Sequence, residues 1–240
     1  MCGRYVMAIP SDEIARLFDA DLATRAKAEY VPSYNIPPTA QVLALGGADG
    51  GGRVLDLYRW GLIPSWMGDA SALPQMHNAR AESVATKPAF RGAFVQRRVA
   101  VIAEGYFEWR RTPGAKPQPF YIHRADGAPL AFASLWESTV RDGHCVRSTA
   151  IVTTVAGSDT EAIHDRMPVI LENDLLDLWL DRSEDDREVL EPLLRPSPQG
   201  TVVARPVDRR VGRVAEDDPG LVVEITPDPV PEIAQPLTLF

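Results

Sequence analysis

The sequence predicts an α+β fold: a mostly antiparallel, barrel-like β-sheet with a few short helices, in a single domain. Three observations predict it. Seven short apolar segments are joined by turns rich in Pro, Gly or Asp, which is the pattern of many short strands rather than of βαβ repeats. Few stretches carry the 3.6-residue apolar period of an amphipathic helix. The 240 residues, 45% of them hydrophobic and 24% charged, show no internal repeat and no break in composition, which fits one domain with a sizeable core.

Taken in order, Ser11 reads as an N-cap, followed by a helix over Asp12–Ala20 with Ile14, Leu17 and Phe18 on one face. Pro32, Pro37 and Pro38 make Val31–Thr39 an extended loop. Gln41–Leu45 and Val54–Trp60 read as strands around the turn Gly46–Gly52, and Gly61–Gln75 reads as a long irregular loop, a type that is often functional. Further strands are expected at Arg98–Glu104, Phe120–Arg124, Leu130–Trp136 and Ser148–Val155, then a capped helical turn at Ser158–His164. Asn173 caps a predicted helix over Asn173–Leu180, a second helix is expected over Asp185–Leu194, and a late strand over Thr201–Val207. The domain is expected to span residues 1–222, with a Pro-rich tail, 223–240, packed on its surface.

The net charge of −8 argues against a generic nucleic-acid binder. Charge is uneven, however. Asn78–Arg111 holds seven basic residues against three acidic ones, and Leu171–Glu191 holds nine acidic against two basic. Salt screens surface potential beyond about 8–10 Å, so the overall charge does not exclude an anionic ligand on the basic stretch. No apolar run reaches the roughly 18 residues needed to span a bilayer. The N-terminus lacks the apolar core of a signal peptide. With two cysteines, Cys2 and Cys145, no disulfide framework is expected, and a cytoplasmic setting fits.

Four segments hold candidate chemistry. Cys2 is small enough that removal of Met1 is expected. It would then carry an α-amine, pKa about 7.7–8.0, beside a thiol near 8.5. Such an amine forms a Schiff base with an aldehyde, and the adjacent thiol closes a five-membered thiazolidine. In His77-Asn78-Ala79-Arg80-Ala81-Glu82, the Asn78 amide suits a sugar or carbonyl oxygen and the Arg80 fork suits phosphate. The alternative is a loop Asn and a surface Arg. In Gly105-Tyr106-Phe107-Glu108-Trp109, a carboxylate between two aromatic residues suits acid–base work if it is desolvated. If Glu108 alternates outward with Tyr106, it is an ordinary solvent-facing residue. In Ile163-His164-Asp165-Arg166-Met167-Pro168, His164 is suited to proton transfer near pH 7, or it is structural. No His or Cys pair has metal-ligand spacing, and neither G-x-G-x-x-G, a P-loop nor G-x-S-x-G occurs, so no metal or cofactor is expected.

These segments, with Met1-Cys2-Gly3-Arg4-Tyr5, Tyr34-Asn35-Ile36-Pro37-Pro38 and Trp60-Gly61-Leu62-Ile63-Pro64-Ser65-Trp66, occur in one order along the chain. Together they resemble the SRAP family, the SOS response-associated peptidases or abasic-site processing proteins. The resemblance implies a single SRAP domain that binds single-stranded DNA and captures abasic sites as a thiazolidine on Cys2, with no cofactor. It places Asn78 on the sugar, Glu108 and His164 on proton transfers, Arg4 and Arg80 on phosphates, Trp66 beside the lesion and Pro38 in the loop beside Cys2. It also implies a DNA-crosslinking or lyase-type enzyme, classed with cysteine peptidases that act on their own N-terminus, monomeric and nucleoid-associated when bound. One stretch departs: Gly212 stands where the family favours Asn, with Arg209, Arg210 and Arg213 as candidate substitute phosphate contacts.

Two other readings of the residues remain. An N-terminal-nucleophile hydrolase, such as a glutamine amidotransferase domain, also begins Met-Cys-Gly, and it would release ammonia from glutamine. A non-catalytic single-stranded DNA-binding module would bind reversibly whether or not Cys2 is present.

Overall fold

The computed structural model describes residues 3–48, 51–67, 76–141 and 143–227. The chain runs β1 (Arg4–Met7), α1 (Ser11–Leu17), β2 (Ala20–Leu22), α2 (Thr24–Glu29), β3 (Ser33–Ile36), β4 (Gln41–Gly47) and β5 (Arg53–Trp60). It continues through β6 (Asn78–Arg80), α3 (Ala81–Val84), α4 (Arg91–Gln96), β7 (Arg98–Ala103), β8 (Gly105–Arg110) and β9 (Gln118–Arg124). The last elements are β10 (Leu130–Arg141), β11 (His144–Val155), β12 (Arg166–Pro168), α5 (Asn173–Leu180), α6 (Arg187–Leu190) and β13 (Val202–Pro206).

Two sheets carry the fold. One is antiparallel throughout, in the order β13-β9-β8-β1-β3. The other runs β12-β11-β10-β7-β4-β5-β2, with β6 added to β11. A parallel pairing of β11 with β5 closes the ring β5-β4-β7-β10-β11 into a five-stranded barrel. The expected α+β class, its antiparallel bias and its barrel are therefore present.

Side-chain alternation explains how the sheets pack. Tyr5 and Met7 of β1 and Tyr106 of β8 face the main core, with Leu43, Leu45, Val101 and Phe132. The intervening Val6 and Phe107 face the other way, against Val207, Val211 and Leu221. Residues 207–222 thus form a strap that covers the outer face of the smaller sheet.

The structure revises several expected boundaries. Ser11 lies inside α1, which Pro10 precedes; the Pro10 carbonyl accepts the Glu13 and Ile14 N–H groups at 3.1 Å. Glu172, not Asn173, precedes α5, and neither cap uses a side chain. The extended loop Val31–Thr39 contains β3. Leu130–Trp136 and Ser148–Val155 are parts of two 12-residue strands joined as one long hairpin. In the C-terminal tail, Ile225 still bonds the Pro206 carbonyl (2.9 Å), and residues 228–240 lie outside the described residues. Among the described residues no helix is long and apolar enough to cross a membrane.

Candidate functional site

The ladder between β1 and β8 places Arg4 opposite Phe107 and Tyr5 opposite Tyr106. Its direction carries Gly3 toward Glu108. Cys2 lies outside the described residues. Glu108 shares the face of Tyr106, but that face is the inward one, and Glu108 is only 3% exposed. The carboxylate is therefore desolvated within the fold and is not an ordinary solvent-facing residue.

Asn78 and Arg80 sit on β6, parallel to β11, with Asn78 opposite Ile151 and Arg80 opposite Thr153. The preceding His77 carbonyl accepts the indole N–H of Trp60 (2.8 Å) and the Ile151 N–H (3.1 Å). An aromatic chain links this strand to the smaller sheet. Trp60 meets the His77 ring at 6.1 Å and Tyr5 at 5.4 Å; Tyr5 meets Phe132 at 6.4 Å, and Phe132 meets Tyr106 at 5.9 Å. Pro38 lies half-buried in the turn after β3, and the N–H of the next residue, Thr39, bonds the Trp60 carbonyl at 2.7 Å. Thr39 has φ +78°, an unusual conformation for a β-branched residue, held in place by that bond.

The third component meets the same end of β11. Thr153 pairs with Pro168 of β12 on one side and Arg80 on the other. Arg166 bonds both carboxylate oxygens of Glu82 and the Thr153 carbonyl, so it staples the segment holding His164 to the one holding Asn78. Glu82 is held below the usual carboxylate range, chiefly by the Arg166 hydrogen bonds. Sequence reasoning missed this pair, although both residues lie within quoted motifs. His164 itself is about one quarter exposed; its Nδ1 lies 3.0 Å from the Arg166 N–H and 2.9 Å from Asp165 Oδ1. The two contacts need the ring proton in different places: accepting at Nδ1 puts it on Nε2, whereas donating to Asp165 puts it on Nδ1.

Arg4 is half-buried and faces the strap. Its Nη1 donates to Asn35 Oδ1 (2.9 Å) and the Val211 carbonyl (3.2 Å), and its Nη2 to the Gly212 carbonyl (3.3 Å). Asn35, only 2% exposed, places Nδ2 within 2.8–3.2 Å of the Val211, Arg213 and Glu216 carbonyls. This clamp was also missed; the resemblance quoted Asn35 without giving it a task. Arg210 is held by Asp218 and Glu216, and Arg213 pairs with Glu216 at 2.9 Å. Of the three candidate substitute phosphate contacts, Arg210 and Arg213 thus pair with carboxylates of the strap.

Arg80 is exposed at the end of β6, and Trp66 is 66% exposed in a 3-10 turn. The excursion carrying Trp66 leaves at Leu62 and returns at Met76, where the Leu62 N–H bonds the Met76 carbonyl at 3.0 Å. The turn therefore starts and ends beside His77 and Asn78. Among the described residues no group of three or more His, Cys, Asp or Glu side chains is placed to hold a metal ion. A cavity of about 720 Å³ lies elsewhere, lined by Gly47, Arg53, Asp177 and Arg182 among others, and it contains none of the candidate residues.

Comparisons with known proteins place the chain in a family. Residues 1–214 match the family model "SOS response associated peptidase (SRAP)". The chain is 38% identical to the abasic site processing protein YoaM of Bacillus subtilis, covering 82% of this chain and 86% of that one. It is 30% identical to the abasic site processing protein YedK of Escherichia coli, covering 92% and 99%. A crystal structure of a protein from Bacteroides thetaiotaomicron superposes with a TM-score of 0.84 at 25% identity, over 94% of this chain and all of that one. This chain belongs to the SRAP family.

Proposed function

We propose that this protein processes abasic sites in single-stranded DNA by covalent capture on Cys2. Removal of Met1, by self-processing or by an aminopeptidase, exposes the amine. The amine lone pair adds to C1 of the ring-opened deoxyribose, and a proton passes from nitrogen to the former aldehyde oxygen. Loss of that oxygen as water leaves a Schiff base. The Cys2 sulfur then adds to C1, the C=N electron pair returns to nitrogen, and the thiol proton passes to that nitrogen as the thiazolidine closes. One water is released per adduct.

The remaining residues take the roles that such a sequence needs. Glu108 and His164 move protons during ring opening, dehydration and closure, a contribution of about 10²–10⁴-fold. The His164 ring, with Nδ1 between an N–H donor and a carboxylate, has a partner in either proton state. The Asn78 amide holds the sugar. Arg80 contacts phosphate, as does Arg4 through the N–H groups that Asn35 and the strap leave over. Trp66 stacks on a base, worth about 1–3 kcal/mol, and Pro38 walls the loop beside Cys2. Affinity built from phosphates and stacking is salt-sensitive and sequence-tolerant.

The observation that carries this reading is the buried Glu108 on β8, the strand paired with β1, which follows Cys2 and Gly3 in sequence. A desolvated acid beside the first residues of a chain suits chemistry at its terminus. The test is a denaturing gel with a uracil-excised oligonucleotide. Wild type should form a denaturant-resistant adduct and Cys2→Ala should not. An adduct that survives Cys2→Ala, or no adduct from Met1-free wild type, sinks the proposal.

A further inference from the structure

We infer that Arg110 is a further phosphate-contacting residue, set where the sheet face that carries Glu108 reaches solvent. This inference rests on the reading above and adds a residue that lies just beyond the Gly105–Trp109 motif.

Register and one direct contact place the side chain. Across the β8–β9 ladder Glu108 is opposite Phe120, and Arg110 is opposite Gln118. Opposed residues share a sheet face, and so do alternate residues along a strand. Glu108, Arg110, Gln118 and Phe120 therefore share one face. Glu108, Gln118 and Phe120 are buried, whereas Arg110 is partly exposed. The guanidinium sits over the Phe120 ring, with Cζ 4.9 Å from the ring centroid. Phe120 is the residue directly across from Glu108, so the cation stands one diagonal step from the buried acid. The antiparallel β1–β8 ladder brings the start of β1 toward this same end of β8.

The group is also available. A ring face holds a cation through its charge and takes none of the five guanidinium N–H donors. Among the described residues the Arg110 side chain makes no ion pair and no hydrogen bond. That sets it apart from Arg4, Arg97, Arg98, Arg166 and Arg210, whose donors are taken up within the fold. Gln118, its opposite number, is neutral and donates to the Pro119 and Val207 carbonyls. From Trp109 to Ala125 the chain has no acidic residue, while Arg110, Arg111 and Lys116 lie on or beside the turn of this hairpin. A planar fork with free donors, held by a ring and flanked by like charge, matches a phosphodiester.

The experiment measures binding of an intact, mixed-sequence single-stranded oligonucleotide from about 50 to 200 mM salt by fluorescence anisotropy. Arg110→Gln should flatten the slope of log K against log salt by about 0.7, so that wild type loses about 2–3-fold more affinity than the variant over that range. Arg110→Lys keeps the charge and should keep the slope. Arg110→Met keeps an aliphatic stem over Phe120 and should give the same flattening as Gln, which covers a Gln variant that loosens the hairpin. Arg187→Gln removes equal charge from the exposed start of α6 and should leave the slope unchanged. A wild-type slope in the Gln and Met variants, or equal flattening in Arg187→Gln, overturns the inference while leaving capture on Cys2 standing. The expected flattening without any denaturant-resistant adduct from Met1-free wild type supports the phosphate contact and overturns covalent capture. Failure of the wild type to bind the oligonucleotide overturns both.

Discussion

Two regions of this chain carry polar side chains in or near the interior and treat them in opposite ways. Where α4 and α5 end against β7, Arg98 is 5% exposed and turns its guanidinium onto five carbonyls. Nε bonds Trp179, Nη1 bonds Phe94 and Val95, and Nη2 bonds Asp181 and Glu184. An arginine has five N–H donors, so the chain itself satisfies the whole group. Most of these carbonyls belong to the last turns of two helices, where the backbone dipole favours a cation. At the candidate site the polar groups stay closer to the surface: Asn78 is half-buried on β6, His164 is about one quarter exposed, and Arg80 and Trp66 are exposed, with only Glu108 fully interior. The contrast shows why counting basic residues misleads. Within Asn78–Arg111, Arg98 is interior and Arg97 is paired with Glu137, whereas Arg80, Lys87, Arg91 and Arg111 are exposed.

The strongest way to break the comparison is to remove each centre. Arg98→Met leaves two helix ends without their donor and should destabilise the fold by about 3–5 kcal/mol. For a chain of this size that lowers the thermal midpoint by about 10 °C, readable by calorimetry, while the folded fraction still captures DNA. An unchanged midpoint would mean that the five bonds add nothing net. His164→Ala should do the reverse. It should slow adduct formation about 10²-fold or more in single-turnover assays, with a midpoint within about 2 °C of wild type. Unchanged kinetics would remove His164 from the chemistry.

The legible part of the fold was the part held by apolar runs. β4, β5 and β7 are dense in Val, Leu and Ala and announce themselves. β6 and β12 are three residues each, and β6 contains one apolar residue; both exist because β11 offers them an edge. No local period can reveal such a strand. The candidate site was legible as motifs, but the contacts that shape it were not, because they join distant positions. Arg166 reaches Glu82 across 84 residues, and Asn35 reaches Glu216 across 181. Glu108 shows the limit most clearly. Its alternation with Tyr106 could be read from the sequence, but which face would be buried depends on the strap and the barrel.

Two glycines sharpen the contrast at intermediate size. At Gly105, the first residue of β8, an added Cβ would lie 2.6 Å from the Ile122 carbonyl oxygen and from the Tyr121 ring. Gly105→Ala should therefore cost about 1–3 kcal/mol in a urea titration and disturb the β1–β8 ladder beside Glu108. At Gly212 an added Cβ meets nothing within 4 Å, and the backbone is not in the left-handed region. Gly212→Asn should shift stability by less than about 0.5 kcal/mol. A large loss at Gly212, or none at Gly105, would reverse this assignment of which motif glycine the fold requires.

The smallest effect concerns the strap, whose ion pair lies at the surface where the Arg98 knot is interior. Arg210 donates to both carboxylate oxygens of Asp218, and this holds the Asp218 pKa at about 2. The folded value lies below the ordinary one of about 3.9, so the pair's contribution is complete above that pH and is lost as pH falls toward 2. The Gly220 N–H donates to Asp218 Oδ1 at 2.8 Å and reports the titration directly. In wild type its amide chemical shift should stay flat from pH 7 to about 3. In Arg210→Gln it should titrate near pH 4, because the carboxylate returns to its ordinary range. A wild-type titration near 4 would show that the guanidinium does not hold Asp218 in solution. The strap would then owe its place to Arg4, Asn35 and the apolar contacts of Val207, Val211 and Leu221 rather than to this ion pair.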